Sequence, residues 1–379
     1  MARIVLDLRW VRETTLDGIA RVSLSYVAEL LRTSHPNHTY YLLFTHQELK
    51  QFCLLWIQQY SKKPLVADFF SKVCGYDARS WKNRVFLYRE LKGFQPHFYV
   101  SFYYIFHPMP GINLAMVHDL TPLHYPQYFQ QASPLFRLLL CQPQGLKWLL
   151  HKADYLLTVS HHTRQDLIEL APEYKDKTAV IPLAASPCPE DVGPAPLSSP
   201  YLLQVGRADP HKNQLGLLRA YAQLSPDLQA RYALVFAGPD DERYTPLLTQ
   251  EIQKQQLTDR VHLTGALSAE ALHAYYHHAS LLIMPSFYEG FGLPVLEAMQ
   301  HHTPTLLARV ASLPEVGGTA AAYFDPHHPE DLTLQLNALL NAPIRRQALA
   351  QAGQLHAQKS SWSHTSQRFL KLLQDLHTP

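Results

Sequence analysis

Cysteine is scarce in this 379-residue chain: Cys53, Cys74, Cys141 and Cys188 stand far apart, and no two form a C-x-x-C pair. That spacing suggests neither a zinc site nor a disulfide framework, so a reducing compartment is the expectation. No apolar run reaches the roughly 18 residues of a membrane span. Met1 leads almost directly into Ile4-Val5-Leu6, which leaves no room for a signal peptide. A cytoplasmic protein, soluble or lying on a membrane surface, is expected. Net charge is nearly absent too, since 33 Lys and Arg against 31 Asp and Glu give +2, and nucleic acid is not expected as a partner. The loop behind the first strand is not G-x-G-x-x-G, which weakens a dinucleotide reading there. No Asp-x-Asp pair follows a strand either. Asp240-Asp241 comes nearest and lies in a polar turn, so no metal site is expected.

What is present is strand and helix in alternation, twice over. Arg3 to Leu8 reads as a strand, followed by Asp17-Gly18 and an amphipathic helix with Ile19, Val22, Leu24, Val27, Leu30 and Leu31 at helical spacing. Tyr40 to Phe44, Phe98 to Ser101, Leu114 to Val117, Tyr155 to Val159 and Ala179 to Ile181 read as further short strands of a parallel sheet. Residues 186–200 hold Pro187, Pro189, Pro194, Pro196 and Pro200 without periodicity, the mark of a linker. The alternation restarts at Leu202 to Val205 and continues through Ala233 to Phe236, Val261 to Leu263 and Ala279 to Pro285. The chain therefore divides into an α/β domain over 1–185, the linker over 186–200, and a second α/β domain over 201–360. A last helix follows near Thr365 to Leu376.

Between Ser61 and Lys92, eight Lys or Arg face three acids, with Phe69, Phe70, Tyr76, Trp81, Phe86 and Tyr88 interleaved. Such a segment suits an anionic lipid surface and equally suits a solvated helix face over a core.

The chemistry concentrates at Ser286-Phe287-Tyr288-Glu289-Gly290-Phe291-Gly292-Leu293-Pro294-Val295-Leu296-Glu297. Pro294 suits a first helical position because its missing N–H would have no partner there. Phe291, Gly292 and Leu293 then sit just before a helix N-terminus, where amides and the positive dipole end hold an anion such as phosphate. Glu289, on the loop, and Glu297, in the first helical turn, bracket that place. Carboxylates beside a phosphate suit hydroxyl groups, as on a sugar and a ribose. Gly206-Arg207-Ala208-Asp209-Pro210-His211-Lys212 ends another strand with two cations, and fixed positive charge stabilises a departing diphosphate. Val117-His118-Asp119 closes a strand of the first domain, placing His118 at a carboxyl edge where doubly wound folds bind ligands.

The Glu289-to-Glu297 stretch resembles the E-x7-E signature of retaining glycosyltransferases of family four, which have the GT-B architecture of two Rossmann-like domains facing across a cleft. In that family the residue matching Glu289 contacts the donor sugar, and that matching Glu297 holds the nucleotide ribose. Arg207 and Lys212 resemble the family's diphosphate-binding pair, and the loop carrying Gly265 occupies the place where members meet the base through main-chain atoms. The His118-Asp119-Leu120 segment resembles the motif of a bacterial mannosyltransferase-like subgroup, whose His lies beside the donor sugar. Asp17-Gly18-Ile19 is one glycine short of the family's cleft-lining Gly-Gly-Ile loop, so a contact from Gly18 is open. Gln300-His301-His302-Thr303-Pro304 lacks a glycine the family usually has. Leu313-Pro314-Glu315-Val316-Gly317 is similar to a family segment with Glu315 at a helix start, and residues 361–379 resemble a tail crossing back to the first domain.

The resemblance implies metal-independent, cofactor-free transfer of a hexosyl unit from a nucleotide sugar to an acceptor hydroxyl in glycan, polysaccharide or glycolipid synthesis. GDP-mannose is the favoured donor, with a UDP-sugar as its rival. The acceptor is a glycan or lipid-linked molecule, with an anionic membrane surface as a partner through residues 61–92. A sugar-nucleotide 2-epimerase and a non-catalytic partner subunit are the competing readings.

Overall fold

The computed structural model describes residues 2–9, 18–33, 38–43, 51, 53 and 81–377. It forms two compact units, Met1–Leu183 with Ser361–Pro379, and Ala184–Ser360.

In the first unit β1 (Ala2–Asp7), β2 (His38–Leu43), β3 (Phe98–Ser101), β4 (Ile112–Val117), β5 (Tyr155–Thr158) and β6 (Thr178–Val180) form one sheet in the order β2-β1-β3-β4-β5-β6. Every pairing is parallel. The central strands show no alternation of apolar and polar residues, because a parallel sheet is covered on both faces, and consecutive side chains such as Val5 and Leu6 or Tyr99 and Val100 are all buried. Helix α1 (Gly18–Arg32) follows β1 and buries Val22, Leu24, Val27 and Leu30, the stripe its spacing predicts. Helices α2 (Pro134–Leu140) and α3 (Pro143–Leu150) pack as a hairpin between β4 and β5. Gly145 permits that approach, since a Cβ there would lie 2.0 Å from the Leu138 carbonyl oxygen.

In the second unit β7 (Tyr201–Val205), β8 (Ala233–Ala237), β9 (Val261–Leu263), β10 (Leu281–Met284), β11 (Thr305–Ala308) and β12 (Ala322–Phe324) pair in parallel in the order β12-β11-β10-β7-β8-β9. The order reverses between β7 and β10. In open α/β sheets that reversal opens a crevice at the carboxyl ends of the strands, and ligands bind there. The helices used below are α4 (Gln214–Ala222), α5 (Ala269–His278), α6 (Leu293–Gln300) and, in the first unit, α7 (Trp362–His377). Helix α7 packs on α1 through Phe369 and Trp362 against Tyr26, with ring centroids 5.3 and 6.2 Å apart.

Some expectations shift. Helix α6 begins at Leu293, one residue before Pro294, so Glu297 stands in its second turn rather than its first. Helix α7 starts at Trp362, three residues before Thr365. The proline-rich stretch packs on the second unit, where Cys188 Sγ meets His301 Nδ1 at 3.3 Å and His278 Nε2 donates to the Gly193 carbonyl. Of the basic segment, Lys62, Lys63, Lys72 and Arg79 lie outside the described residues, as do the side chains of Lys82 and Arg84; Arg89 and Lys92 are exposed.

Candidate functional site

The loops after β7 and β10 meet at the switch point of the second sheet. Gly206 ends β7 with φ 145°, and Gly238 ends β8 with φ 152°. A Cβ on Gly238 would lie 2.3 Å from the Gly206 carbonyl oxygen, so only glycine lets these two strand ends close up. Gly238 N–H donates to the Gly265 carbonyl at 3.1 Å, which draws the loop after β9 into the same edge. From Gly206 the chain turns through Asp209, whose carboxylate accepts from His211 Nδ1 at 2.7 Å and from Arg207 Nη2 at 2.9 Å. Burial would push the Asp209 carboxyl up, but these two partners outweigh it and hold the group well below the usual carboxylate range. Asn213 then adopts a left-handed φ of 55°, caps the turn and sends α4 away.

Two hydrogen bonds clamp this loop to the one after β10. Phe287 N–H donates to the His211 carbonyl at 2.8 Å, and Asn213 Nδ2 donates to the Pro285 carbonyl at 3.0 Å. Lys212 Nζ is thereby delivered to both Glu289 oxygens, at 2.7 and 2.9 Å. Ser286 Oγ donates to Glu289 Oε1 at 2.7 Å, and Ser312 Oγ holds the carbonyls of Glu289 and Phe291 at 2.8 and 2.9 Å. Burial alone would raise the Glu289 carboxyl; the Lys212 and His211 charges with the Lys212 and Ser286 hydrogen bonds reverse this and lower it. Glu289 is therefore an anion fixed in place while mostly out of water.

Helix α6 starts directly behind this carboxylate. Gly292 is its cap at φ 99°, a conformation that costs a residue with a Cβ energy, and a Cβ there would also meet Leu313 Cδ2 at 2.9 Å. Among the described residues no side chain caps the helix start, and Phe291 and Gly292 are buried while Leu293 is half-buried. Glu297 is 6% exposed, and its Oε2 accepts from the Tyr276 hydroxyl of α5 at 2.7 Å. Beside the cation loop, the buried Gln214 amide donates to the Arg207 carbonyl, its Oε1 has no hydrogen-bond partner among the described residues, and the residue lines a small hollow with Gly206, Gly238 and Asp240.

The structure thus brings Arg207, Lys212, Gly265, Glu289, Phe291, Gly292, Leu293 and Glu297 into one neighbourhood of the second unit. Arg207 is the open member, with its side chain 56% exposed, whereas Lys212 is 19% exposed. Sequence reasoning passed over Asp209, Ser312 and Tyr276. Asp209 stood beside a recognised cation and could have been found as its counter-charge; Ser312 and Tyr276 act across 21 residues or more and leave no local signal.

The remaining residues belong to the first unit. His118 is buried after β4, and its Nε2 donates to the Phe102 carbonyl at 2.8 Å, which assigns the neutral ring's lone pair to Nδ1. Asp119 Oδ1 accepts from Thr121 N–H at 2.9 Å and so shapes the turn behind His118. Gly18 is the exposed first residue of α1, with Asp17 before it outside the described residues. Ser160 accepts from Thr163 N–H at 3.0 Å as the cap of the helix His161–Leu170. At the end of β1, buried Asp7 is clasped by Arg9 and by the Tyr99 hydroxyl, a cluster with no sequence signature. Among the described residues no group of three or more His, Cys, Asp or Glu side chains is arranged to hold a metal ion.

Comparison with known proteins gives a family and a fold. Residues 190–356 match the model of the glycosyl transferases group 1 family. O-antigen chain mannosyltransferase B of Escherichia coli is 30% identical over 261 residues, covering 65% of this chain and 66% of its own. Serotype-specific mannosyltransferase WbdA of the same species is 28% identical over 287 residues, covering 70% of this chain, which spans only 34% of that protein. Among solved structures, Anabaena Alr3699/HepE in complex with UDP and glucose superposes with a TM-score of 0.71 over 99% of this chain and all of its own. At 14% identity, that likeness is one of fold.

Proposed function

Since residues 190–356 are a glycosyl transferases group 1 domain in a chain with the GT-B fold, we propose that this protein transfers a hexosyl unit from a nucleoside diphosphate sugar to an acceptor hydroxyl, retaining the anomeric configuration. The observation that carries the proposal is the Lys212–Glu289 pair, held by Ser286 and Ser312 at the switch point of the second sheet. A cation and a fixed carboxylate side by side, next to an uncapped helix start, suit a ligand that is anionic at one end and rich in hydroxyls at the other.

In this reading the donor diphosphate takes the place of Glu289 as the partner of Lys212. Arg207, already extended towards solvent, supplies the second cation. The amides around Phe291, Gly292 and Leu293 add hydrogen bonds to phosphate oxygens. Glu289, released from Lys212, accepts from sugar hydroxyls, and Glu297 accepts from the ribose in competition with Tyr276. Main-chain atoms at Gly265 meet the base. As the glycosidic bond breaks, charge builds on the departing diphosphate, and these preset cations stabilise it without a metal or a cofactor. His118, Asp119 and Gly18 are the first unit's own candidates for the reaction.

The names of both curated relatives support a mannosyl unit, and that of the first a glycan-chain acceptor; GDP-mannose as donor, a glycan or lipid-linked acceptor and a cytoplasmic setting complete the reading. Contact of residues 61–92 with an anionic membrane surface belongs to the same reading. A thermal-shift comparison tests the donor: a nucleotide that binds only the folded state raises its melting temperature. GDP should do so and UDP should not. The reverse response would assign a UDP-sugar; UDP is the nucleotide in the Anabaena structure. No response to either, with the protein folded, would overturn the proposal.

A further inference from the structure

One buried carboxylate serves two basic groups beside the Lys212–Glu289 pair. Asp209 Oδ2 accepts from Arg207 Nη2 at 2.9 Å, and Oδ1 accepts from His211 Nδ1 at 2.7 Å. The three side chains differ in their access to water. Asp209 and His211 are 6% and 14% exposed, whereas Arg207 is 56% exposed and holds the carboxylate through one hydrogen bond. An ion pair that open is weakly held, so an incoming anion draws the guanidinium away at little cost. The imidazole stays behind. The His211 carbonyl accepts from Phe287 N–H at 2.8 Å, the next residue, Lys212, is bonded to Glu289, and the ring itself lies within electrostatic reach of the Glu289 carboxylate. With Nδ1 engaged by Asp209, Nε2 is the ring nitrogen left to gain or lose a proton.

Charge balance points to that nitrogen. In the free chain Arg207 and Lys212 are matched by Asp209 and Glu289, so these four groups sum to zero. A nucleoside diphosphate sugar, bound as proposed above, brings two negative charges to the same two cations, and both carboxylates lose their partners together. Of the groups then left facing one another, the imidazole binds a proton most readily, since histidine ordinarily titrates at about 6.5 and a carboxylate at about 4. We propose that donor binding takes up a proton from water at His211, which becomes the third cation beside the phosphates while Asp209 holds its ring in place. The inference rests on the donor reading and adds to it a residue and a coupling. The charges on the neighbouring loop have partners of their own: Arg243, within electrostatic reach of Asp209, pairs with Asp241 at 2.8 Å, and Asp240 accepts from the Thr245 hydroxyl. A second histidine of this edge, His327, stacks on Phe287 with ring centroids 6.2 Å apart and serves as the control.

The test is titration calorimetry of the 379-residue chain with GDP-mannose, and with UDP-glucose if only that binds, near neutral pH in two buffers of different ionisation enthalpy. The difference in heat counts the protons taken up. A nucleotide sugar is the probe because both its phosphates are diesters, whereas the terminal phosphate of GDP itself titrates at about pH 6. Wild type should take up roughly half to one proton, and its affinity should fall as pH rises from about 6 to about 8.5, by at most about tenfold per unit. His211→Gln, which keeps a donor for Asp209 and has no titrating nitrogen, should take up none and bind with a flat pH profile; His211→Asn repeats the test if Gln does not fold. His327→Gln should match wild type. Arg207→Gln should bind more weakly and with little uptake, because its His211 faces Asp209 alone and is charged before the donor arrives. Melting temperatures report that the variants remain folded. Wild-type binding without uptake, uptake that His211→Gln or Arg207→Gln keeps in full, or uptake that His327→Gln abolishes would overturn the proposal. A folded chain that binds neither nucleotide sugar would overturn the donor site itself, and the coupling with it.

Discussion

Removing both partners of the Lys212–Glu289 pair should cost far less than the sum of the two single removals. The pair is mostly dehydrated, with side chains 19% and 9% exposed, and its contacts are 2.7 and 2.9 Å. At an effective dielectric constant of 20, opposite charges 4 Å apart attract by about 4 kcal/mol, which offsets the cost of taking both out of water. Lys212→Met strands a buried carboxylate that keeps only the Ser286 hydrogen bond, and should destabilise the second unit by about 3 kcal/mol. Glu289→Gln keeps the shape and one acceptor, and should cost about 2 kcal/mol because Lys212 can reach some water. The double variant should lose only about 1–2 kcal/mol, a coupling of about 3–4 kcal/mol. Thermal unfolding followed by circular dichroism near neutral pH is the assay. In a unit of this size 1 kcal/mol moves the melting temperature by about 2–4 °C, so a double shift about 3–4 kcal/mol short of the summed single shifts is measurable. Strictly additive shifts would refute the reasoning, because they would mean that the two charges do not sense each other.

Three further outcomes follow from the same region. His302 ends α6 with φ 58°, and Thr303 N–H closes the turn on the Ala298 carbonyl, so His302→Gly should stabilise the protein by about 0.5–1 kcal/mol, read as a higher melting temperature. Gly292→Ala imposes a Cβ both on a positive φ and 2.9 Å from Leu313, and should cost about 2 kcal/mol as well as weakening nucleotide binding. Burial first, then the charges that His273, His277 and His302 would carry, depress His301 from 6.5 to about 4. The unfolded chain therefore binds the proton first. The stability from neutral His301 is complete above pH 6.5 and is lost as pH falls from 6.5 towards 4, by up to about 3 kcal/mol, and His301→Phe should flatten that slope in denaturant titrations. Glu289, lowered rather than raised, begins to lose its own contribution as pH falls through the ordinary carboxylate value of 4.5, so most of the His301 slope lies above it.

The strands through β10 were legible because Leu, Val, Ile and Tyr runs between turn residues are the signature of parallel strands buried on both faces. Strands β11 and β12 passed unnoticed: Thr305–Ala308 and Ala322–Phe324 are three or four residues long and part alanine, and their strand character comes from pairing with β10 and with each other. The site was legible where chemistry is written along the chain, as in Arg207 to Lys212 and Glu289 to Glu297. It was not legible where a side chain acts from afar. Ser312 fixes the main chain of the Glu289 loop, and Tyr276 holds Glu297, through contacts that exist only after the sheet has formed. The missing glycine near Thr303-Pro304 was visible in the sequence. Its consequence, a histidine in left-handed backbone, needed coordinates.

The most direct test of the whole account is release of GDP from GDP-mannose by the purified 379-residue chain, compared with Glu289→Ala and Arg207→Ala. The account predicts slow turnover by the wild type that rises when a glycan acceptor is added, loss of turnover without loss of GDP binding in Glu289→Ala, and at least tenfold weaker GDP binding in Arg207→Ala. A folded wild-type chain that binds none of GDP, UDP or their sugars, or a Glu289→Ala variant that turns over at the wild-type rate, would contradict it.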